Sequence, residues 1–266
     1  MTKPVRLGAV GYLNARPLTW ALDRAPEHWH IRYDTPARCS SRLNMREVDL
    51  ALVPSFDYLS SDHYRLVPGV GIGSCGAVAS VALFARVPLE GVRRIALDAS
   101  SRTSVALVKV LCRHRFHITP EFVSHGPDIA EMTRVADAAL LIGDPALEID
   151  HEALGLIKID LGTEWTAMTG LPFVYAAWTG RTGAVGPSEV RLLQAAQEEG
   201  RRALVSIAAE FAGGDAVRAG RAVAYLRDNV KYGMGADDAR GLQLFLDYAA
   251  DLGLAPRRRS LEFFDG

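Results

Sequence analysis

Ser100-Ser101-Arg102-Thr103-Ser104 separates the apolar run Arg94-Ile95-Ala96-Leu97-Asp98 from Val105-Ala106-Leu107-Val108-Lys109-Val110-Leu111. The first run reads as a short buried strand and the second as a helix core. A strand, a hydroxyl-rich turn and a helix start in succession favour an anion. The first N–H groups of a helix lack intrahelical partners and carry the positive end of its dipole, so a carboxylate or phosphate can collect backbone donors beside the Ser and Thr hydroxyls. An ordinary N-cap is the competing reading. One cap needs one hydroxyl, and Ser100, Ser101, Thr103 and Ser104 supply four in five residues.

Working outward, a 266-residue chain is long enough for one large domain or two lobes. Its 30 Lys plus Arg stand against 31 Asp plus Glu, so no global field draws it to nucleic acid or an acidic membrane, and the expected partner is a small molecule. Cys39, Cys75 and Cys112 are far apart with no C-x-x-C pair, which suits reduced thiols and argues against a disulfide framework or a zinc site. Met1-Thr2-Lys3-Pro4-Val5-Arg6 runs straight into a strand pattern without an apolar leader, and no stretch of 18 residues is uniformly apolar. The expectation is a cytoplasmic protein.

Leu7 to Leu13 reads as a strand, followed by Asn14-Ala15-Arg16-Pro17 and a helix with Pro17 in its first turn. Asn14 thus lies just beyond the carboxyl end of the first strand, where ligands bind in open α/β sheets, although a cap or Asx-turn would place an Asn there too. Asp49 to Ser55 repeats the arrangement, putting Ser55 at a strand's end. The segment Val67 to Ser80, with Gly69, Gly71, Gly73 and Gly76, reads as a glycine-rich loop feeding a strand over Val78 to Phe84. There is no G-x-G-x-x-G between strand and helix and no Walker A sequence, so a dinucleotide site is not expected. Asp137 to Asp144 reads as an apolar strand ending in Gly143-Asp144, with Asp144 either a cap or a hydroxyl acceptor; Asp160 to Gly170 reads as a loop. Amphipathic helices occupy about 188–212, 215–229 and 236–252, with Leu242, Phe245, Leu246, Ala249 and Leu252 on one face of the last. Arg257-Arg258-Arg259 reads as a solvated tail.

The fold class that emerges is α/β with two lobes and a central cleft. One lobe is discontinuous, residues 1–86 and 176–266, and residues 87–175 form an inserted lobe. Asn14, Ser55 and Ser80 then face Ser100 to Ser104 and Asp144, and hinge closure around a small anion is the natural motion.

Gly11-Tyr12-Leu13-Asn14 with Pro17-Leu18, Val53-Pro54-Ser55, Gly73-Ser74-Cys75-Gly76-Ala77-Val78-Ala79-Ser80-Val81, Ser100-Ser101-Arg102-Thr103-Ser104, Leu141-Ile142-Gly143-Asp144 and the run Trp165 to Val174 together resemble the chorismate dehydratase family of the futalosine route to menaquinone. The resemblance covers roughly residues 5 to 180. It implies a type II periplasmic-binding-protein-like fold without a signal peptide, a dicarboxylate substrate, chorismate, and its dehydration to 3-[(1-carboxyvinyl)oxy]benzoate with no cofactor and no metal. It implies that Asn14 is the catalytic residue, that Ser80 binds substrate and that the hydroxyls of Ser100, Ser101, Thr103 and Ser104 hold a carboxylate; Ser55 and Asp144 are candidate substrate-binding residues from their place at strand ends facing the cleft. Cys75 and Ala77 depart from the acidic or amide residue and the proline common at those positions, which bears on the shape of that loop. No Glu, His or Lys lies in the best-matching motifs, so the substrate's own enolpyruvyl carboxylate is the candidate base. His114, His117 and His125 read as surface or structural residues. Two alternatives stand beside this: a non-catalytic solute-binding protein for a small anion, and the related 1,4-dihydroxy-6-naphthoate synthase, whose His-containing motif is not apparent.

Overall fold

The computed structural model describes residues 4–255 and 258–266; the start of the chain over residues 1–3 and Arg257 of the basic tail lie outside the described residues. Eleven strands form among them: β1 (Val5–Val10), β2 (Trp29–Asp34), β3 (Leu50–Pro54), β4 (Tyr64–Ser74), β5 (Val81–Ala85), β6 (Arg94–Asp98), β7 (Glu121–His125), β8 (Ala138–Ile142), β9 (Ile157–Asp160), β10 (Phe173–Arg181) and β11 (Lys231–Met234). They divide into a six-stranded sheet, β11-β4-β10-β3-β1-β2, and a five-stranded sheet, β7-β6-β8-β5-β9.

The two sheets are built alike. In the first, β1 pairs in parallel with β2 and β3, and antiparallel β10 adds to β3. In the second, β6 pairs in parallel with β7 and β8, and antiparallel β5 adds to β8. Strands β3, β5 and β8 are buried at every position, as their continuous apolar runs require when helices cover both faces. Among the described residues no helix is long and apolar enough to cross a membrane.

Several local expectations change. The chain crosses to the second sheet between Ser74 and Val81, earlier than residue 87, because Val81–Ala85 pairs with β8 and β9; it returns between Thr169 and Phe173, next to residue 175. The glycine-rich segment is mostly strand. Gly71 and Gly73 lie inside β4, where a Cβ on Gly73 would stand 2.7 Å from the Phe173 carbonyl oxygen, so glycine permits close strand pairing rather than a loop. Asp160 to Gly170 is a helix over Leu161–Thr169, started by the Asp160 side chain accepting the Thr163 N–H and ended by Gly170 in the left-handed region.

The helix expected over 188–212 breaks at Ala203 into Pro187–Arg202 and Leu204–Ala212. The last helix, Ala236–Asp251, buries Leu242, Phe245, Leu246 and Ala249 as its pattern requires. Phe245 and Tyr248 of this helix meet Trp165 edge-on, and Phe173 lies 5.1 Å from the same indole between ring centres. The Trp165 indole N–H donates to the Pro172 carbonyl, so the return crossover is anchored by an aromatic cluster and a hydrogen bond.

Candidate active site

Between the carboxyl ends of the two sheets lies a narrow slot of about 60 Å³. The first lobe supplies Val10, Tyr12 and Asn14 from the end of β1 and Pro54 from the end of β3; the second supplies Ser101 and Ser104 at the start of the Arg102–Leu111 helix and Ile142 and Gly143 at the end of β8. Strand ends converge there because parallel β1, β3, β6 and β8 all run toward the slot before turning into helices or 3-10 turns. Tyr175, on β10, closes one wall, and its phenol lies 3.1 Å from the Ser74 hydroxyl. A larger groove of about 540 Å³ lies on the far side of Leu13 and Tyr225, with Arg218 and Arg221 set among Glu148, Asp150 and Asp215. Its charges are mixed and it touches no strand end of the second sheet, so the slot is the candidate site.

Of the residues singled out in the sequence, Asn14, Ser101 and Ser104 line the slot. Ser101 is the N-cap: its hydroxyl accepts the Ser104 N–H at 3.3 Å and lies 3.1 Å from the Ser104 hydroxyl. The other hydroxyls are committed elsewhere. Ser55 donates to the Val174 carbonyl at 2.6 Å, and the Thr103 hydroxyl accepts the Phe56 N–H at 3.0 Å. Ser80 is fully buried and accepts from the Tyr225 hydroxyl at 2.7 Å. Ser100 places its N–H on Asp98 at 2.9 Å, and its buried hydroxyl stands beside the Tyr12 phenol. Asp144 points at the first lobe, accepting the Leu13 N–H at 3.0 and 3.3 Å.

Arg102 faces away from the slot. It pairs at 2.7 Å with Asp57, which is itself buried and accepts from the Ser40 hydroxyl. Among the described residues lining the slot there is no Lys, Arg, His, Asp or Glu. Negative charge on a ligand would therefore meet helix N–H groups and hydroxyls, which hold an anion without neutralising it by a salt bridge. Tyr12 and Tyr175 are the titratable groups of the wall, and burial raises both phenols above their ordinary range. They act at neutral pH as donors, not bases. No group of three or more His, Cys, Asp or Glu among the described residues is placed to hold a metal ion.

Tyr12, Tyr175 and Tyr225 are the participants that sequence reasoning missed. Tyr12 lies two residues before Asn14, where its place at the end of the first strand is a readable signal; Tyr175 sits in an apolar strand and Tyr225 on the buried face of an amphipathic helix, where a tyrosine looks like any core aromatic. The Tyr225 hydroxyl stands beside both Ser80 and the Asn14 amide. Cys75 is exposed and outside the slot, and His114 stacks on Tyr248 at 4.5 Å.

A family model described as menaquinone biosynthesis matches residues 5–251. A curated chorismate dehydratase from Thermus thermophilus is 32% identical over 273 residues, spanning 96% of this chain and 98% of that relative. A crystal structure from Archaeoglobus fulgidus superposes with a TM-score of 0.73 at 19% identity, covering 94% of this chain and 98% of its own. The periplasmic aliphatic sulphonate binding protein of Escherichia coli does so with 0.65 at 17% identity, covering 100% of this chain and 95% of its own. At those identities the structural likeness concerns the fold. With two like sheets closing on one slot and a family match along almost its whole length, the chain belongs to the menaquinone-biosynthesis family and is built on the periplasmic-binding-protein fold.

Proposed function

We propose that the protein is a chorismate dehydratase, a cytoplasmic hydro-lyase of the futalosine route that converts chorismate to 3-[(1-carboxyvinyl)oxy]benzoate. The observation that carries this reading is the pairing of the Asn14 amide with the Ser101–Ser104 helix start across a slot without charged side chains. Chorismate is a cyclohexadiene with one ring carboxylate and one enolpyruvyl carboxylate. The helix start receives the ring carboxylate on backbone N–H groups and hydroxyls.

The chemistry asks little of acid or base groups. The proton on the ring carbon bearing the ether leaves, its bonding electrons enter the ring, and the adjacent C–O bond breaks. Aromatisation supplies the driving force. The enolpyruvyl carboxylate of the substrate takes the proton and passes it to the departing hydroxide, which leaves as water. The Asn14 amide donates to that oxygen as negative charge develops on it. Bound geometry brings carboxylate and proton together within one molecule, where proximity alone removes much of the barrier.

Purified protein incubated with chorismate should yield an aromatic product one water lighter, followed by mass and ultraviolet absorbance. Asn14→Ala should lower kcat by roughly 10²–10³-fold, the usual loss for one aimed donor in an enclosed site. Binding of chorismate without turnover by the wild type would sink the dehydratase reading in favour of a solute-binding protein; turnover untouched by Asn14→Ala would sink the role of Asn14.

A further inference from the structure

Leu13 and Asp144 belong to opposite lobes. Leu13 opens the Leu13–Ala15 3-10 turn after β1, and Asp144 lies in the first turn of the Gly143–Glu148 helix after β8. The N-cap of that 3-10 turn, Tyr12, makes no capping hydrogen bond. The Leu13 N–H is an orphan donor of a residue only 1% exposed, and the Asp144 carboxylate satisfies it. The fit around this bond is close. Gly143 adopts φ +65, and a Cβ there would stand 3.0 Å from the Tyr12 ring, so the turn presenting Asp144 lies flat against the residue preceding Leu13.

Because the bond spans the two sheets, it exists only while they are closed on each other. Asn14 is the middle residue of the turn it secures, with its side chain in the slot. We propose that Asp144 is a positioning residue for Asn14: by taking the Leu13 N–H when the lobes close, it sets the reacting amide in place. This deepens the dehydratase reading and rests on it. A ligand that touches both lobes favours the closed form, and the latch turns that preference into a formed site.

The test uses the full chain with Asp144→Ala, Asp144→Asn, Asn14→Ala and the Asp144→Ala/Asn14→Ala double variant. Asp144→Ala should lower kcat for chorismate by about 10–100-fold, with a smaller change in KM, because the amide is displaced inside an otherwise intact site. Asp144→Asn should recover most of that loss, since its amide oxygen still accepts the Leu13 N–H. In the Asn14→Ala background the same Asp144→Ala change should cost less than about 3-fold, because residues acting through one another are not additive. Equal losses in both backgrounds, or unchanged kcat in Asp144→Ala, would overturn the proposal.

Hydrogen exchange of the peptide containing Leu13 gives a readout that needs no activity. Its protection should fall in Asp144→Ala while the Ala236–Asp251 helix keeps its own; unchanged Leu13 protection overturns the latch. Chorismate left intact by the wild type, together with this local loss in Asp144→Ala, would reject the dehydratase reading and retain the latch. Should Asp144→Ala not fold, Asp144→Ser keeps a polar residue at the helix start but falls short of Leu13, and it is held to the same outcomes.

Discussion

The Thr103 hydroxyl, one residue into the Arg102–Leu111 helix of the second lobe, accepts the backbone N–H of Phe56, which follows β3 in the first lobe, at 3.0 Å. It is the counterpart of the Asp144 contact with Leu13. In each case a side chain at the start of a second-lobe helix takes an N–H from a 3-10 turn that follows a parallel strand of the first lobe. The loop after β1, the middle strand of its parallel trio, meets the helix after β8, and the loop after β3 meets the helix after β6, the middle strand of the other trio. The two contacts each tie one lobe to the other.

Thr103→Val keeps the shape and removes the acceptor, leaving a buried N–H unpaired at a cost of about 1–3 kcal/mol. Urea unfolding should show a lower midpoint with an unchanged slope. Thr103→Ser should recover most of the difference, and an indifferent Thr103→Val would mean that the Phe56 N–H finds another partner.

Burial raises the Asp144 carboxyl from the ordinary value of 3.8 to about 6. Between those values the folded chain holds a proton that the unfolded chain has released, so stability falls as pH rises through about 6. The rise converts to roughly 3 kcal/mol of stability present below the unfolded value and lost above the folded one. Asp144→Asn removes this dependence. Its melting temperature should match the wild type near pH 4 and exceed it increasingly up to pH 7; a constant difference across that range would contradict the assignment.

Tyr225→Phe withdraws the donor to the Ser80 hydroxyl, which is fully buried. Loss of that bond should cost about 1–2 kcal/mol in denaturant unfolding. Unfolding at wild-type denaturant concentration would show that the pair contributes nothing.

Gly162 lets the Leu161–Thr169 helix approach the first lobe: a Cβ would stand 2.6 Å from the Gly76 carbonyl, 2.7 Å from the Ser74 hydroxyl and 2.7 Å from the Tyr175 hydroxyl. Two of those are atoms of the chain that forms or supports the slot wall. Gly162→Ala should destabilise by about 1–3 kcal/mol as overpacking, and thermal melting checks it. An unchanged melting temperature would show that this helix has room to withdraw.

The strands at the heart of both sheets were legible as runs. Arg94–Asp98 and Ala138–Ile142 are short, apolar and bounded by polar turns, and burial on both faces demands that pattern. The Ser101 cap and the apolar stripe of Ala236–Asp251 were equally plain, because capping and helical amphipathicity are decided by neighbours within a few residues. The Gly71–Gly73 strand and the Leu161–Thr169 helix were not. Local propensity disfavours glycine in strands, and only the proximity of Phe173 to Gly73 and of Tyr175 to Gly162 explains why it is there.

Sequence alone determined which residues carry polar groups at strand ends, and so confined the site to Asn14, the Ser100–Ser104 turn and their like. Tertiary structure decided how those groups are spent: Ser101 and Ser104 on the slot, Thr103 on Phe56, Asp144 on Leu13, Ser80 on Tyr225. A hydroxyl or carboxylate advertises the bond it can make in its own chemistry, but its partner here lies 47 to 145 residues away. Packing of the two lobes brings that partner within reach, and periodicity along the chain carries no record of it.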